Sequence, residues 1–453
     1  MAQQQTDLMD KIVSLCKRRG FVFQSSEIYG GLASTWDYGP LGAELKRNLK
    51  DAWWRSNVYE RDDIEGLDAS ILMHPMTWMA SGHVSSFEDT LTDCKGCKKR
   101  FKVENLVKNK CPECGGDVTE PRQFNLMLKT HLGAVLDEAS LIYMRPETAQ
   151  GIFVNFQNVV NTSRKKIPFG IAQIGKSFRN EVTTGNFTFR SREFEQMEIE
   201  FFVKPGTDDT WYEKWVNERF SWYTSLGINK DSLRKRQHEK SELAHYAKAC
   251  TDIEYKFPFG WSELEGIANR TDFDLKQHMN LSGKDLQYFD EETKERYIPY
   301  VIEPSGGIDR SILAFLADAY REEKVNPAPR KDPFLSTRGG VKDEKRVVLG
   351  LHKKLAPIKA AILPLLKNRG EVVSMAKSLA ADLRKSLRVM YDDTASIGRL
   401  YRRQDEVGTP YCITIDVESL TDKKVTVRDR DTMKQDRVAL DKVKEYLEEQ
   451  FNM

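Results

Sequence analysis

Ile171-Ala172-Gln173-Ile174-Gly175-Lys176-Ser177-Phe178-Arg179-Asn180-Glu181 and Glu193-Phe194-Glu195-Gln196-Met197-Glu198-Ile199-Glu200-Phe201-Phe202-Val203 are the stretches whose reading decides the fold. Both read as strands, and an extended chain sends successive side chains to opposite faces. In the first, Arg179 and Glu181 share a face with Gln173 and Gly175, while Ile174 and Phe178 take the other. In the second, Gln196, Glu198 and Glu200 share a face, and Met197, Ile199 and Phe201 its opposite. The intervening residues 182–192 contain Thr183-Thr184-Gly185-Asn186 and suit a flexible hairpin loop. An apolar underside carrying a polar, charged upper face is the form of a sheet-built active site. Taken alone, it fits equally a sheet with one wet side and scattered ion pairs.

A third segment shifts that balance. Val301-Ile302-Glu303-Pro304 reads as a strand, Ser305-Gly306-Gly307 as a turn, and the residues after it as a helix with Ile308, Ile312, Phe315, Leu316 and Ala319 apolar. Arg310 falls in the first turn of that helix, where the macrodipole disfavours a cation by about 0.3–1 kcal/mol. A cation kept there implies an anionic partner, and the two glycines admit a ligand close to the backbone. Upstream, Leu41, Leu45, Leu49 and Trp53 recur every fourth residue behind Pro40, so residues 42–56 form an amphipathic helix. Downstream, charge, Pro and Gly gather over 322–345 and mark a domain boundary. Beyond it the pattern is strand 347–351, helix 355–368, helix 371–385, strand 387–391, helix 396–407 and strand 411–416. That alternation describes a small α/β domain of about 100 residues.

Cys94-x-x-Cys97 and Cys111-x-x-Cys114, thirteen residues apart, are paired knuckles with Gly96, Pro112, Gly115 and Gly116 beside the sulfurs. The spacing is that of a tetrahedral four-cysteine zinc site; four thiolates close the coordination sphere, so the metal is structural. Between the pairs, Lys98-Lys99-Arg100-Phe101-Lys102 forms a basic ribbon that either lies against an RNA backbone or is simply solvated. The other cysteines, Cys16, Cys250 and Cys412, lie apart, and an odd total of seven without a signal segment speaks against a disulfide framework.

A chain of 453 residues is too long for one ordinary domain and suggests two or three. It contains no apolar run near the roughly 18 residues needed to cross a bilayer. Residues 1–10 resemble neither a secretory signal nor a transit peptide, so the expectation is a cytoplasmic protein without membrane attachment. A formal charge of +2 does not by itself announce a nucleic-acid binder. Clusters such as Arg164-Lys165-Lys166, Arg234-Lys235-Arg236 and residues 399–403 are more often solvated surface.

The quoted segments carry a specific resemblance. Phe178-Arg179-Asn180-Glu181, followed after the loop by Phe189-Arg190-Ser191-Arg192-Glu193-Phe194-Glu195-Gln196-Met197-Glu198, resembles motif 2 of the class II aminoacyl-tRNA synthetases. Gly306-Gly307-Ile308-Asp309-Arg310 resembles motif 3, with Asp309 where many members carry Glu, and Tyr38-Gly39-Pro40 resembles the start of the more degenerate motif 1. Within the class, Arg145-Pro146-Glu147-Thr148-Ala149-Gln150-Gly151, Asn269-Arg270-Thr271-Asp272-Phe273-Asp274, Glu303-Pro304-Ser305, Ser26-Glu27-Ile28-Tyr29-Gly30-Gly31 and Trp36-Asp37-Tyr38-Gly39-Pro40 are similar to the single-chain, homodimeric glycyl-tRNA synthetases.

The resemblance implies an α+β fold: an antiparallel-sheet catalytic domain over residues 1–335 and an α/β anticodon-binding domain over 345–453. Within the first it implies a zinc-ribbon-like insertion at about 90–120 and a helical insertion at about 205–260. It implies ATP, Mg²⁺ and structural Zn²⁺, with glycine, tRNA-Gly and a second copy of the chain as partners. Arg179 would meet the α-phosphate and the amino-acid carboxylate, Arg310 the γ-phosphate side of a bent ATP, and Arg190 the phosphates from the loop. Glu181 would take the adenine amino group and Phe194 stack under the base. Asn180, Phe189, Ser191, Arg192, Glu193, Glu263, Leu264, Gly307, Ile308 and Asp309 complete the implied ATP site. Glu147, Glu303 and Ser305 would receive the glycine ammonium, with Arg270 lining the pocket beside Phe194, Gln196, Met197, Pro304, Gly306 and Gly307. Glu195 and Glu198 stand where Mg²⁺ or substrate contacts occur, and Arg100 is a candidate substrate or tRNA contact. Arg399, Arg402 and Arg403 would meet RNA phosphates, with Tyr401 for stacking. Two other readings stay open: a non-catalytic paralogue that holds nucleic acid, in which the motif arginines tend to be lost, and a class II synthetase for serine, threonine or alanine. Retention of Arg179, Arg190, Arg270 and Arg310 speaks against the first, and Glu147 with Glu303 and Ser305 against the second.

Overall fold

A computed structural model describes residues 2–182, 185–325 and 344–451, without the side chains of 2–6, 325 and 344. Thr183-Thr184 of the hairpin loop and most of the expected boundary segment lie outside the described residues.

One sheet of seven strands positions everything that follows. In chain order these are Ile64–Gly66 (β1), Phe169–Phe178 (β2), Glu193–Val203 (β3), Leu233–Gln237 (β4), Ala249–Phe257 (β5), Gly260–Thr271 (β6) and Tyr300–Gly307 (β7). They lie side by side as β4-β5-β6-β7-β3-β2-β1, antiparallel throughout except for the short parallel β1 at the edge. Register sets the faces as alternation requires. Gln173 lies opposite Glu198 and Gly175 opposite Gln196; on the other side of β3, Glu198 lies opposite Ser305 and Gln196 opposite Gly307.

Below the sheet pack Ala2–Arg19 (α1), Pro40–Trp54 (α2), Asp208–Ser225 (α3) and Ile308–Ala319 (α5). Their apolar faces bury Leu45, Leu49, Trp53, Trp215, Ile312 and Leu316 against Met197, Ile199 and Phe201. Each large side chain so buried contributes about 1.5–3 kcal/mol. Above the sheet, Phe273–Ser282 (α4) and a short helix Ala149–Phe153 close one end over Phe169, Ile171, Phe202 and Val301, leaving the centre of that face polar.

Three expectations are corrected. The stretch 205–260 is not a helical insertion: after α3 the chain supplies β4 and β5 of the central sheet. Ile253, Tyr255 and Phe257 enter the core at every second position, a strand period. The segment 355–368 is not a helix either. Ala360–Pro364 is a fully buried strand, and a short run apolar on all sides reads alike as buried helix or buried strand. Ser305-Gly306-Gly307 is not a turn: β7 runs straight through it and α5 begins at Ile308.

Tyr320–Val325 (β8) pairs with Glu344–Leu349 (β9) and leads into the C-terminal unit. There Ala360–Pro364 (β10), Val389–Tyr391 (β11), Tyr411–Ile415 (β12), Lys424–Asp429 (β13) and Gln435–Ala439 (β14) form a sheet in the order β11-β10-β12-β13-β14. The helices Gly370–Leu383 (α6), Ile397–Val407 (α7) and Val443–Phe451 (α8) cover it around a separate apolar core. Among the described residues no helix is long and apolar enough to cross a membrane.

Candidate active site

The polar centre of the large sheet opens into a cleft of about 290 Å³. Its floor is a set of side chains from neighbouring strands. On β3, Glu198 accepts from the Ser305 hydroxyl of β7 at 2.6 Å and from the Thr148 hydroxyl. Glu303, two residues before Ser305, accepts from Arg270 Nη1 of β6 at 3.0 and 3.1 Å. Arg270 itself is buried beside the floor, gripped by Asp274 of α4 at 2.7 and 2.8 Å and covered by the Tyr246 ring at 3.8 Å. Glu147 leans in above them, between the His83 imidazole at 3.2 Å and the Gln150 amide at 3.0 Å.

These buried carboxyls do not share one protonation behaviour. For Glu147, burial pushes upward, but the His83 imidazole and then Arg270 outweigh it and hold the group well below the carboxylate range. For Glu303, burial dominates, reinforced by Glu198 and Glu147 and opposed by Arg270, and its carboxyl is pushed up to about 8. Glu198 is also raised, first by burial and then by the neighbouring Glu147 charge.

The walls carry cations. Arg179 Nε donates to the Pro146 carbonyl at 3.0 Å, and its guanidinium sits 5.3 Å from the Phe87 ring and 5.2 Å from the Phe194 ring. Arg310 Nε donates to the Phe189 carbonyl at 3.2 Å, its guanidinium lies 4.5 Å over the Phe189 ring, and Nη1 pairs with Glu263 at 3.1 Å. Arg179 and Arg310 both line the same cleft. Arg190 reaches toward Glu181 at 3.8 Å, and the buried Glu181 Oε2 has no hydrogen-bond donor, which leaves an acceptor for a ligand amine. Asp309, at the start of α5, ties the wall to α2. It accepts from Tyr38 at 2.5 Å, from Lys46 at 2.9 Å and from the Glu195 backbone N–H at 2.8 Å.

Of the residues named from sequence, Arg179, Glu181, Phe189, Arg190, Ser191, Phe194, Glu263, Gly307, Asp309 and Arg310 line the cleft, as do Glu147, Glu195, Gln196, Glu198, Glu303, Ser305 and Gly306. Met197, Leu264 and Ile308 do not: strand alternation turns the first two into the apolar core, and Ile308 enters it from the first turn of α5. Pro304 is buried within β7. Asn180 fixes its backbone to Leu126, Arg192 donates to the Glu181 carbonyl at 3.1 Å, and Glu193 pairs with Lys176, so these brace the loop. Arg100 pairs with Asp93 at 2.7 Å in the cysteine-bearing insertion, away from the cleft lining. His83, Phe87 and Tyr246 escaped the sequence reading because each acts through a contact between distant segments, and so did the role of Thr148, though that residue stands in the 145–151 stretch that carries the resemblance. Asp274 was legible in principle, four residues after Arg270.

The four knuckle cysteines converge beside a three-stranded sheet of Glu88–Asp93, Arg100–Lys102 and Arg122–Asn125. All four sulfurs lie within 4.8 Å of one another, with Cys94–Cys114 at 3.4 Å and Cys97–Cys111 at 3.7 Å. The backbone N–H of Cys97 and that of Gly96 point at Cys94 Sγ from 3.4 and 3.3 Å, and together with neighbouring thiols lower its pKa to about 6. Four sulfurs gathered this closely are a set that could hold a metal ion.

Comparison with known proteins gives the class first. Residues 135–319 match the family described as tRNA synthetase class II core domain (G, H, P, S and T), and residues 359–450 match the one described as Anticodon binding domain. The first match contains every floor residue and both wall arginines. The whole chain is 54% identical to a glycine--tRNA ligase of Thermobifida fusca, with 98% of each protein covered. It is 54% identical to one of Streptomyces coelicolor, covering 97% of this chain and 98% of that protein, and 53% identical to one of Clostridium acetobutylicum, with 98% of each covered. The chain belongs to the glycine--tRNA ligase family.

Proposed function

We infer that this chain activates glycine with ATP to form glycyl-adenylate and then transfers the glycyl group to the 3′ end of tRNA-Gly. The observation that carries the reading is the convergence of Arg179 and Arg310 on one cleft above Glu147, Glu198, Glu303 and Ser305. In activation, a glycine carboxylate oxygen attacks the α-phosphorus, the bond to the β-phosphate breaks and pyrophosphate leaves. Two anions must be brought together while charge builds on phosphate oxygens, and fixed guanidiniums neutralise that charge without reorganisation. Arg179 would bridge the glycine carboxylate and the α-phosphate, and Arg310 the far end of the triphosphate. Transfer follows when a ribose hydroxyl of the tRNA terminus attacks the activated carbonyl and AMP departs. Neither step needs an enzyme-bound covalent intermediate, so no side-chain nucleophile is assigned.

Glu147, Glu198, Glu303 and Ser305 would receive the ammonium group. Glycine has no side chain to grip, so larger amino acids are refused by the fixed polar groups around it rather than by a lost contact. Glu195 and Glu263 are each already neutralised, the first by Lys46 at 3.1 Å and Lys50 at 2.9 Å and the second by Arg310 at 3.1 Å, so either would bind Mg²⁺ only by giving up a protein cation. Mg²⁺, when bound with the triphosphate, would supply further neutralisation of the phosphate oxygens. Cys94, Cys97, Cys111 and Cys114 suit structural Zn²⁺. The motif 1 likeness of Tyr38-Gly39-Pro40 and α2 supports a homodimer, and service to translation supports a cytoplasmic setting. The purified protein should exchange pyrophosphate into ATP when given glycine and not when given alanine. Absence of glycine-dependent exchange overturns the reading.

A further inference from the structure

Beneath the ammonium floor lies a carboxyl that the activation chemistry leaves unused. Glu200 is fully buried on β3, and among the described residues it is the one carboxyl with both oxygens buried and without a hydrogen bond. Carboxyl oxygens of Glu198, Glu200 and Glu303 lie within 4.8 Å of one another. The charged groups that weigh on it are Glu303 from β7, Arg270 from β6, Glu198 from its own strand and Asp274 from α4, while β2 sets the apolar Ile171 opposite it. Arg270, the one cation among them, already gives two hydrogen bonds to Asp274 and two to Glu303.

An ionised Glu200 would be a desolvated anion beside other anions with no donor of its own, which a folded protein does not tolerate. A protonated one has an O–H to give, and an ionised Glu303 has a lone pair free beyond those that Arg270 occupies. The terminal torsion of a glutamate is soft, so a modest rotation closes the gap between them. Resting on the glycine-activation reading, we propose that Glu200 is a positioning residue that donates a hydrogen bond from its carboxyl O–H to Glu303 and so presents Glu303 to the substrate's ammonium group. Burial, with the Glu303 charge next in weight, raises the Glu200 carboxyl well above the ordinary range, in keeping with that role. The arrangement gives the pocket a fixed acceptor without adding another negative charge under it.

The test compares Glu200→Gln with Glu200→Ala in the full-length protein by glycine-dependent pyrophosphate exchange, with infrared difference spectra of each variant against the parent. Glutamine keeps a neutral donor, so its KM for glycine should stay within about threefold of the parent at every pH where the parent is active. Alanine loses the donor, and KM for glycine should rise about tenfold with KM for ATP unchanged. The parent should show a protonated-carboxyl C=O band, shifted by glycine and missing in Glu200→Gln. An equal glycine defect in both variants, or absence of that band, overturns the proposal. If Glu200→Ala does not fold, Glu200→Gln and the infrared band decide it alone. If the parent shows no glycine-dependent exchange, the functional reading fails, while the band still reports on Glu200.

Discussion

Arg179 is held before any substrate arrives, by the Pro146 carbonyl at 3.0 Å and by two aromatic rings that leave its remaining N–H groups to the cleft. Preorganisation of this kind makes a single guanidinium matter. Arg179→Ala should lower glycine-dependent pyrophosphate exchange by about 10²–10³-fold, as loss of one transition-state donor does elsewhere, with an unchanged circular dichroism spectrum. Survival of full exchange would remove Arg179 from the chemistry. Glu303 makes a pH prediction. Its carboxyl is pushed up to about 8, so below that value it holds a proton and offers the ammonium group no charge. KM for glycine should therefore fall as pH rises from about 6.5 to 8.5, by nearly tenfold per unit on the acid side. The same raised value means that its contribution to stability is whole below the ordinary 4.5 and is lost as pH climbs through about 8. Initial-rate measurements at saturating ATP read the KM slope directly, and a flat profile would contradict it.

Among the elements, the alternation of β2 and β3 was legible because each strand is polar on one face and apolar on the other, though both faces are largely buried, so period two alone sorted Glu198 from Met197. The floor was less legible where two glycines sat in a strand. A Cβ at Gly306 would stand 2.9 Å from Met197 Cε and 3.2 Å from Glu265, so this glycine serves close packing between strands rather than a turn. Ala360–Pro364, buried on every side, carries no period to read, whereas α7, with one wet face, was found within a residue. Asp274 apart, the partners of Arg270 and Arg179 depended on contacts between segments far apart in the chain, such as Glu303 with Arg270 and the Pro146 carbonyl with Arg179, which no local pattern encodes. The cysteine knuckles are the opposite case, since spacing alone determines their chemistry. Elemental analysis should find about one zinc per chain, and Cys111→Ser should release it. Because a bound structural metal contributes folding energy, the insertion around residues 88–125 should then become the first site of proteolysis. A well-folded, metal-free parent protein would refute the cradle.

The molecule as a whole joins two cores through α1, α2 and α7. Arg19 Nε donates to Glu406 of α7 at 2.6 Å, and Asn48 of α2 caps the Leu355 and Ala356 carbonyls at 3.2 and 3.0 Å. One side of α7 is therefore spent on this joint and on Asp405, which binds Arg346 at 3.1 Å and Arg428 at 2.9 Å. Tyr401, expected to stack on a base, is instead half-buried, its hydroxyl on Thr414 and its ring against Arg428, and Arg403 is tied to Asp392. Arg399, at the start of α7, remains exposed. Adenylate formation involves glycine and ATP alone, whereas charging also brings in the tRNA. Substituting Arg399→Glu should thus leave pyrophosphate exchange within about twofold of the parent while raising KM for tRNA-Gly about five- to tenfold near 0.15 M salt. A lost phosphate contact also reduces counterion release, so the salt dependence of charging should become shallower by close to one unit of log–log slope. Running both assays on one preparation separates the outcomes: parallel loss of exchange and charging would mean that the substitution disturbs the joint, and unchanged charging would take the exposed start of α7 out of the tRNA path.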